Sequence, residues 1–164
     1  MSEGMATRPP SIAEDIKQRK PFRTRSQEAY LGLVRAGDDL KRRTSGVLEA
    51  AGVTLQQYNV LRILRGAADD GLPTLTIAER MIERTPGVTR LIDRMERKGW
   101  VARKRCTEDR RRVWCMITDE GLALLEPLDD PVDALDDFLL DAFAETELIA
   151  LVDYLDRIRA LANQ

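Results

Sequence analysis

The chain has 164 residues, 43% of them hydrophobic, which suits one domain, with or without an appended dimerisation element, and excludes wholesale disorder. The net charge of −2 is unevenly placed: residues 76–115 hold 12 basic and 6 acidic side chains, while residues 116–164 hold 2 and 13. There is no histidine, no Gly-rich phosphate loop and no more than two cysteines, so no nucleophile, base and orienter assemble into an enzyme site, and no metal or cofactor is expected.

Residues 1–25 read as a mobile tail leading into a short helix, and they lack the apolar core of a signal sequence. No apolar run approaches the roughly 18 residues of a spanning helix, so no membrane is expected as a partner and the cytoplasm is the expected location. Residues 26–50 predict a long helix with Tyr30, Leu33, Val34, Leu40, Val47 and Leu48 along one side, ended by Gly52. Thr54 caps a second helix carrying Leu55, Tyr58, Leu61 and Leu64, and the run 69–73 reads as a loop. Thr76 and Glu79 have capping-box spacing for a third helix, whose buried side is expected to hold Ile77, Ala78, Met81 and Ile82.

Only about three residues separate that helix from the next, so the two form a helix-turn-helix. Thr85 is a good N-cap and Pro86 suits the first helical position. Val88, Leu91, Ile92 and Met95 recur at i, i+3, i+4 and i+7, and Gly99 supplies a stop. The opposite face carries Thr89, Arg90, Asp93, Arg94 and Arg97. A short helix, apolar on one side and basic on the other, fits a DNA major groove.

Residues 101–106 and 113–118 are β-compatible and flank a tip with three successive arginines, Arg110, Arg111 and Arg112, which gives a β-hairpin wing. Thr118 caps a helix carrying Leu122, Leu124 and Leu125, which Pro127 and Pro131 must bend or interrupt. A last helix, residues 145–162, is amphipathic through Leu148, Leu151, Val152, Leu155 and Ile158. The surplus apolar surface on the first long helix and the C-terminal helices predicts a homodimer, with a packed monomeric helical cap as the alternative. The fold class is thus mainly α: a winged helix-turn-helix with a small β-hairpin wing and N- and C-terminal dimerisation helices. Its parts are a tail and short helix at 1–25, a dimerisation helix at 26–50, a DNA-binding region at 51–118 and C-terminal dimerisation helices at 119–164. The basic centre is an electrostatic footprint for a polyanion, with a mixed solvated surface as the alternative.

Over about residues 26–162 the chain resembles the MarR family of bacterial winged-helix transcription regulators. The resemblance rests on the wing pattern D-x-R-x-x-x-V-x-L-T, matched here by Asp109, Arg111 and Thr118 with Cys115 and Ile117 as conservative replacements of its Val and Leu, and on residues 75–81, 85–96 and 98–105. It implies a homodimeric repressor of a palindromic operator on double-stranded DNA, released by a small, often aromatic, effector. By position, it implies base or phosphate contacts for Thr89 and Arg90, with Arg94 and Arg97 nearby and with Thr85 and Pro86 at the helix start. It implies minor-groove insertion for Arg111, oriented by Asp109, and a guanidinium does suit a narrow electronegative groove. Arg110 and Arg112 then meet phosphates or are plain surface arginines.

Three readings stay open. Tyr30, Tyr58 and Trp114 line an effector pocket or pack in the core. Cys106 and Cys115, on the two wing strands, face each other as a redox switch if the register centres on the tip, or are ordinary reduced thiols. A winged helix used solely for protein contacts is the alternative outside DNA binding, and the basic face disfavours it.

Overall fold

The computed structural model describes residues 10–67, 71–83, 86–105 and 113–163. The chain forms two compact units, residues 1–43 and 44–164. In the first, α1 (Ile12–Asp15) is closed by a capping box in which the Ser11 N–H donates to Glu14 and the Glu14 N–H donates to the Ser11 hydroxyl. The Arg35 guanidinium lies 3.0 Å from the Asp15 carboxylate and 3.3 Å from that of Asp39. The long helix α2 (Arg25–Glu49) begins here and leaves Tyr30, Leu33, Val34 and Leu40 exposed.

The second unit holds the core. Leu48, at the end of α2, is fully buried. The Val53 N–H bonds to the Leu48 carbonyl at 3.2 Å and the Gly52 N–H to that of Glu49 at 2.9 Å, which closes the helix as expected at Gly52. Thr54 and Gln57 form the capping box of α3 (Leu55–Arg65), which sinks Tyr58, Val60, Leu61 and Leu64 into the core. Strand β1 (Leu72–Pro73) leads directly into α4 (Thr74–Arg80), and α5 (Val88–Arg97) comes next.

The wing strands are β2 (Val101–Arg105) and β3 (Val113–Ile117), paired antiparallel from Val101 opposite Ile117 to Arg105 opposite Val113. β1 adds to the free side of β3, giving the sheet order β1-β3-β2. The segment 69–73, read as a loop, therefore contains a strand at Leu72–Pro73, while residues 69 and 70 lie outside the described residues. A two-residue strand carries no periodicity that a sequence could display.

Thr118 caps α6 (Asp119–Leu125): its hydroxyl accepts from the Gly121 N–H at 3.1 Å and donates to the Gly99 carbonyl at 2.5 Å. Pro127 then falls in a 3-10 turn, Glu126–Leu128, and Pro131 in α7 (Asp129–Asp133), so the prolines do interrupt the run. α8 (Asp137–Ala142) and α9 (Glu145–Ala162) complete the chain. No residue of α9 is buried, and Ile149, Val152, Leu155, Ile158 and Leu161 are exposed.

Two expectations about α4 are corrected. Pro73, extended at φ −62° and ψ 148°, is the N-cap, with no side-chain cap hydrogen bond. Thr76 is therefore already inside the helix, and the Thr76/Glu79 capping box is not formed. The helix stops at Arg80 because Met81 turns extended at ψ 135°. The 3.6-residue period breaks there, and Ile82, expected inside, is 86% exposed.

Candidate nucleic-acid interface

The short helix α5 is built as its pattern requires. Val88, Leu91, Ile92 and Met95 are all buried, each contributing roughly 1.5–3 kcal/mol by leaving water. Thr89, Arg90, Arg94 and Arg97 stand on the outer side, exposed. No hydrogen bond or ion pair holds Arg90 or Arg94 among the described residues, whereas the Arg97 Nε donates to the Asp93 carbonyl at 3.4 Å. Among the described residues, nothing competes with an incoming anion for the first two side chains.

The start of α5 differs from expectation. The helix begins at Val88, behind Gly87, which has φ +84° and is the N-cap. A side chain there would be strained, which accounts for glycine at this turn. Pro86 lies in that turn rather than at the first helical position, and Thr85, expected as the N-cap, lies outside the described residues. At the other end the Trp100 N–H bonds to the Met95 carbonyl and the Gly99 N–H to that of Glu96, a Schellman closure.

A groove of about 750 Å³ runs between the N-terminal ends of α3 and α5. Thr54, Gln56, Pro86, Thr89, Arg90 and Arg94 line it. It joins the two free arginines to amide and hydroxyl groups of a second helix, a surface that offers donors to phosphate or base edges.

Arg103, on β2, was not anticipated. One of its terminal nitrogens lies 2.6 Å from the Asp93 carboxylate and 3.3 Å from that of Glu96, and the other donates to the Thr89 carbonyl at 3.4 Å. Burial works against its charge, but hydrogen bonds to Asp93 and Cys115 and the field of Asp93 and Glu96 outweigh that, and its pKa is raised. The guanidinium thus bolts the wing to the back of α5. Asp93, placed by spacing alone on the groove-facing side, is the anchor of this bolt.

The wing tip, with Asp109, Arg110, Arg111, Arg112 and Cys106, lies outside the described residues. The register does correct one expectation: Cys115 stands opposite Arg103 rather than at a tip-centred partner of Cys106, and it is fully buried. Of the aromatic trio, Tyr58 packs in the core with its hydroxyl accepting from Arg62 at 2.9 Å. Trp114 is half-buried opposite Lys104 and Pro73, and Tyr30 is exposed on α2. None of the three lines the groove beside α5.

The MarR family model matches residues 53–113, which hold α3, α4, α5 and the start of the wing's second strand. The chain is 39% identical to a MarR transcription factor from Planctomyces limnophilus of known structure, spanning 83% of this chain and 98% of that one, with a TM-score of 0.62. The chain belongs to the MarR family. It is also 26% identical to MepR of Staphylococcus aureus in a complex with DNA, over 80% of this chain and 96% of that one, with a TM-score of 0.73. It is 27% identical to NadR in complex with 4-hydroxyphenylacetate, over 85% and 97%, with a TM-score of 0.65. A winged helix-turn-helix of this family is a transcription regulator's module. No described helix is long and apolar enough to cross a membrane, and no described group of three His, Cys, Asp or Glu side chains could hold a metal ion.

Proposed function

We propose that this MarR-family chain is a cytoplasmic, non-catalytic repressor that binds a palindromic operator as a homodimer. In this reading α5 enters the major groove. Arg90 and Thr89 meet bases or phosphates, and Arg94 and Arg97 meet the backbone alongside, with Thr85 and Pro86 at the approach. The wing places Arg111 in the minor groove with Asp109 orienting it, and Arg110 and Arg112 meet phosphates. The observation that carries the reading is the one-sided burial of α5, which leaves the Arg90 and Arg94 side chains without a partner among the described residues on a donor-lined groove.

Dimerisation through residues 26–50 and 119–164 is supported by the apolar side chains that α2 and α9 each expose. Release by a small aromatic compound is supported by the likeness to NadR with 4-hydroxyphenylacetate.

Selection from a fragmented genomic pool tests the reading. The protein should enrich a short duplex with a two-fold symmetric sequence, and its affinity should fall steeply with added salt as counterions are released. A panel of phenolic carboxylates should then include a compound that releases that duplex. Enrichment of no duplex over a shuffled control would sink the proposal.

A further inference from the structure

The C-terminal half of α5 is held by Arg103 and its inner face by the core. Its approach from α4 is held differently. Met81, which closes α4, is buried in the core, but Ile82 is 86% exposed, so apolar packing of the chain stops at Met81. Two side chains of α3 hold the next two residues. The Asn59 side-chain carbonyl accepts the Ile82 backbone N–H at 2.9 Å. The Gln56 side-chain amide donates to the Glu83 carboxylate at 3.0 Å. Gln56 and Asn59 are three residues apart and share one side of α3, while Tyr58, Leu61 and Leu64 fill the core.

The Ile82 N–H is the first backbone donor beyond the last turn of α4, which closes with the Met81 N–H on the Ile77 carbonyl at 3.1 Å. Glu83 and Pro86 are three peptide bonds apart, so Pro86 must begin within about 11 Å of Glu83. Holding Ile82 and Glu83 therefore limits where α5 can start. A hydrogen bond to a backbone N–H is directional, and it sets one geometry where an exposed apolar contact would allow several.

We propose that Asn59, seconded by Gln56, is a positioning residue for DNA recognition. It is a polar latch on α3 that fixes the α4–α5 connection, and through it the height at which Thr89 and Arg90 meet the bases. The inference rests on α5 being the DNA-reading helix. Asn59 itself touches no base. Its loss shifts the reading side chains but removes no basic side chain, and non-specific attraction depends on charge rather than on exact register, so sequence discrimination suffers and non-specific attraction does not.

The test compares wild type, Asn59→Leu and Asn59→Asp on the genomic duplex that wild type enriches and on a shuffled duplex of equal length, at one salt concentration. Asn59→Leu removes the acceptor and keeps the branched shape, and Asn59→Asp keeps the acceptor. The ratio of the two affinities should fall about tenfold in Asn59→Leu, the worth of one well-placed base contact. Affinity for the shuffled duplex and the melting temperature should stay near wild type, and Asn59→Asp should restore most of the ratio. If Asn59→Leu fails to fold, Asn59→Ala, which also removes the acceptor and lies outside the groove lining, must lower the same ratio. Equal losses on both duplexes, or an unchanged ratio, would overturn the latch. A wild-type protein that enriches no duplex would overturn the DNA-binding reading instead.

Discussion

Arg103 binds Asp93, Glu96 and the Thr89 carbonyl with one planar group, and that fork geometry is what lysine lacks. Arg103→Leu should cost about 1.5–3 kcal/mol in urea unfolding, because two carboxylates lose their charged donor, and Arg103→Lys should recover only part of that. Identical stability of the leucine variant and wild type would show that the bolt carries no load. Across the core, both terminal nitrogens of Arg65 donate to the Asp129 carboxylate at 2.8 Å. That hydrogen bond holds the Asp129 carboxyl below its ordinary value of 3.8 and raises Arg65. A carboxyl depressed in the folded state stabilises fully above its unfolded pKa, and the stabilisation is lost as pH falls through the folded value. Both side chains are about a third exposed, so the pair is worth about 0.5–1 kcal/mol. Asp129→Asn should trail wild type by that much at neutral pH, and the gap should close as pH drops from about 5 toward 3. A gap that widens on acidification would contradict the assignment. The buried and free sides of α5 were legible residue by residue, because 3.6-fold periodicity sorts Val88, Leu91, Ile92 and Met95 from Thr89, Arg90 and Arg94. Arg103 was not, because its partners lie across a turn and a strand, and sequence spacing does not report a contact of that kind.

Elements declare themselves in sequence when their ends carry capping chemistry. Thr54 and Thr118 cap where expected, and the Gly99 stop is closed by two backbone hydrogen bonds. The start of α4 escaped because Pro73 caps by backbone conformation alone, while Thr76 and Glu79 showed the spacing of a box without its geometry. The start of α5 escaped because Gly87 takes over from the Thr85-Pro86 pair. The packing of elements adds constraints that no spacing reveals. A Cβ on Gly121 would sit 2.4 Å from the Trp100 carbonyl oxygen, where α6 crosses the base of the wing. That oxygen is backbone, and it already accepts the Thr118 N–H at 3.2 Å. Gly121→Ala should therefore destabilise by about 1–3 kcal/mol despite alanine's better helix propensity. Stability equal to or above wild type would mean that α6 can slide away from the hairpin.

At the scale of the whole molecule, the exposed apolar residues of α2 and α9 argue for a second copy, since a permanent dimer of this kind usually buries more than about 2,000 Å². Leu155→Glu, on an α9 with no buried residue, should leave the winged helix folded and turn a sedimenting dimer into a monomer at micromolar concentration. A dimer of unchanged affinity would place the interface elsewhere. The charge distribution agrees with this: the basic surplus is greatest over residues 76–115, which hold α5 and most of the wing, and the acidic surplus lies in residues 116–164. If the outer face of α5 reads DNA, Arg90→Ala must weaken binding to the enriched duplex. Affinity is measured for the enriched duplex at one fixed salt concentration, with circular dichroism on the same samples. Binding should weaken by about 1–3 kcal/mol with an unchanged spectrum, because Arg90 lies outside the buried stripe. Unchanged affinity with an unchanged spectrum would contradict it and move the groove-facing side away from Arg90.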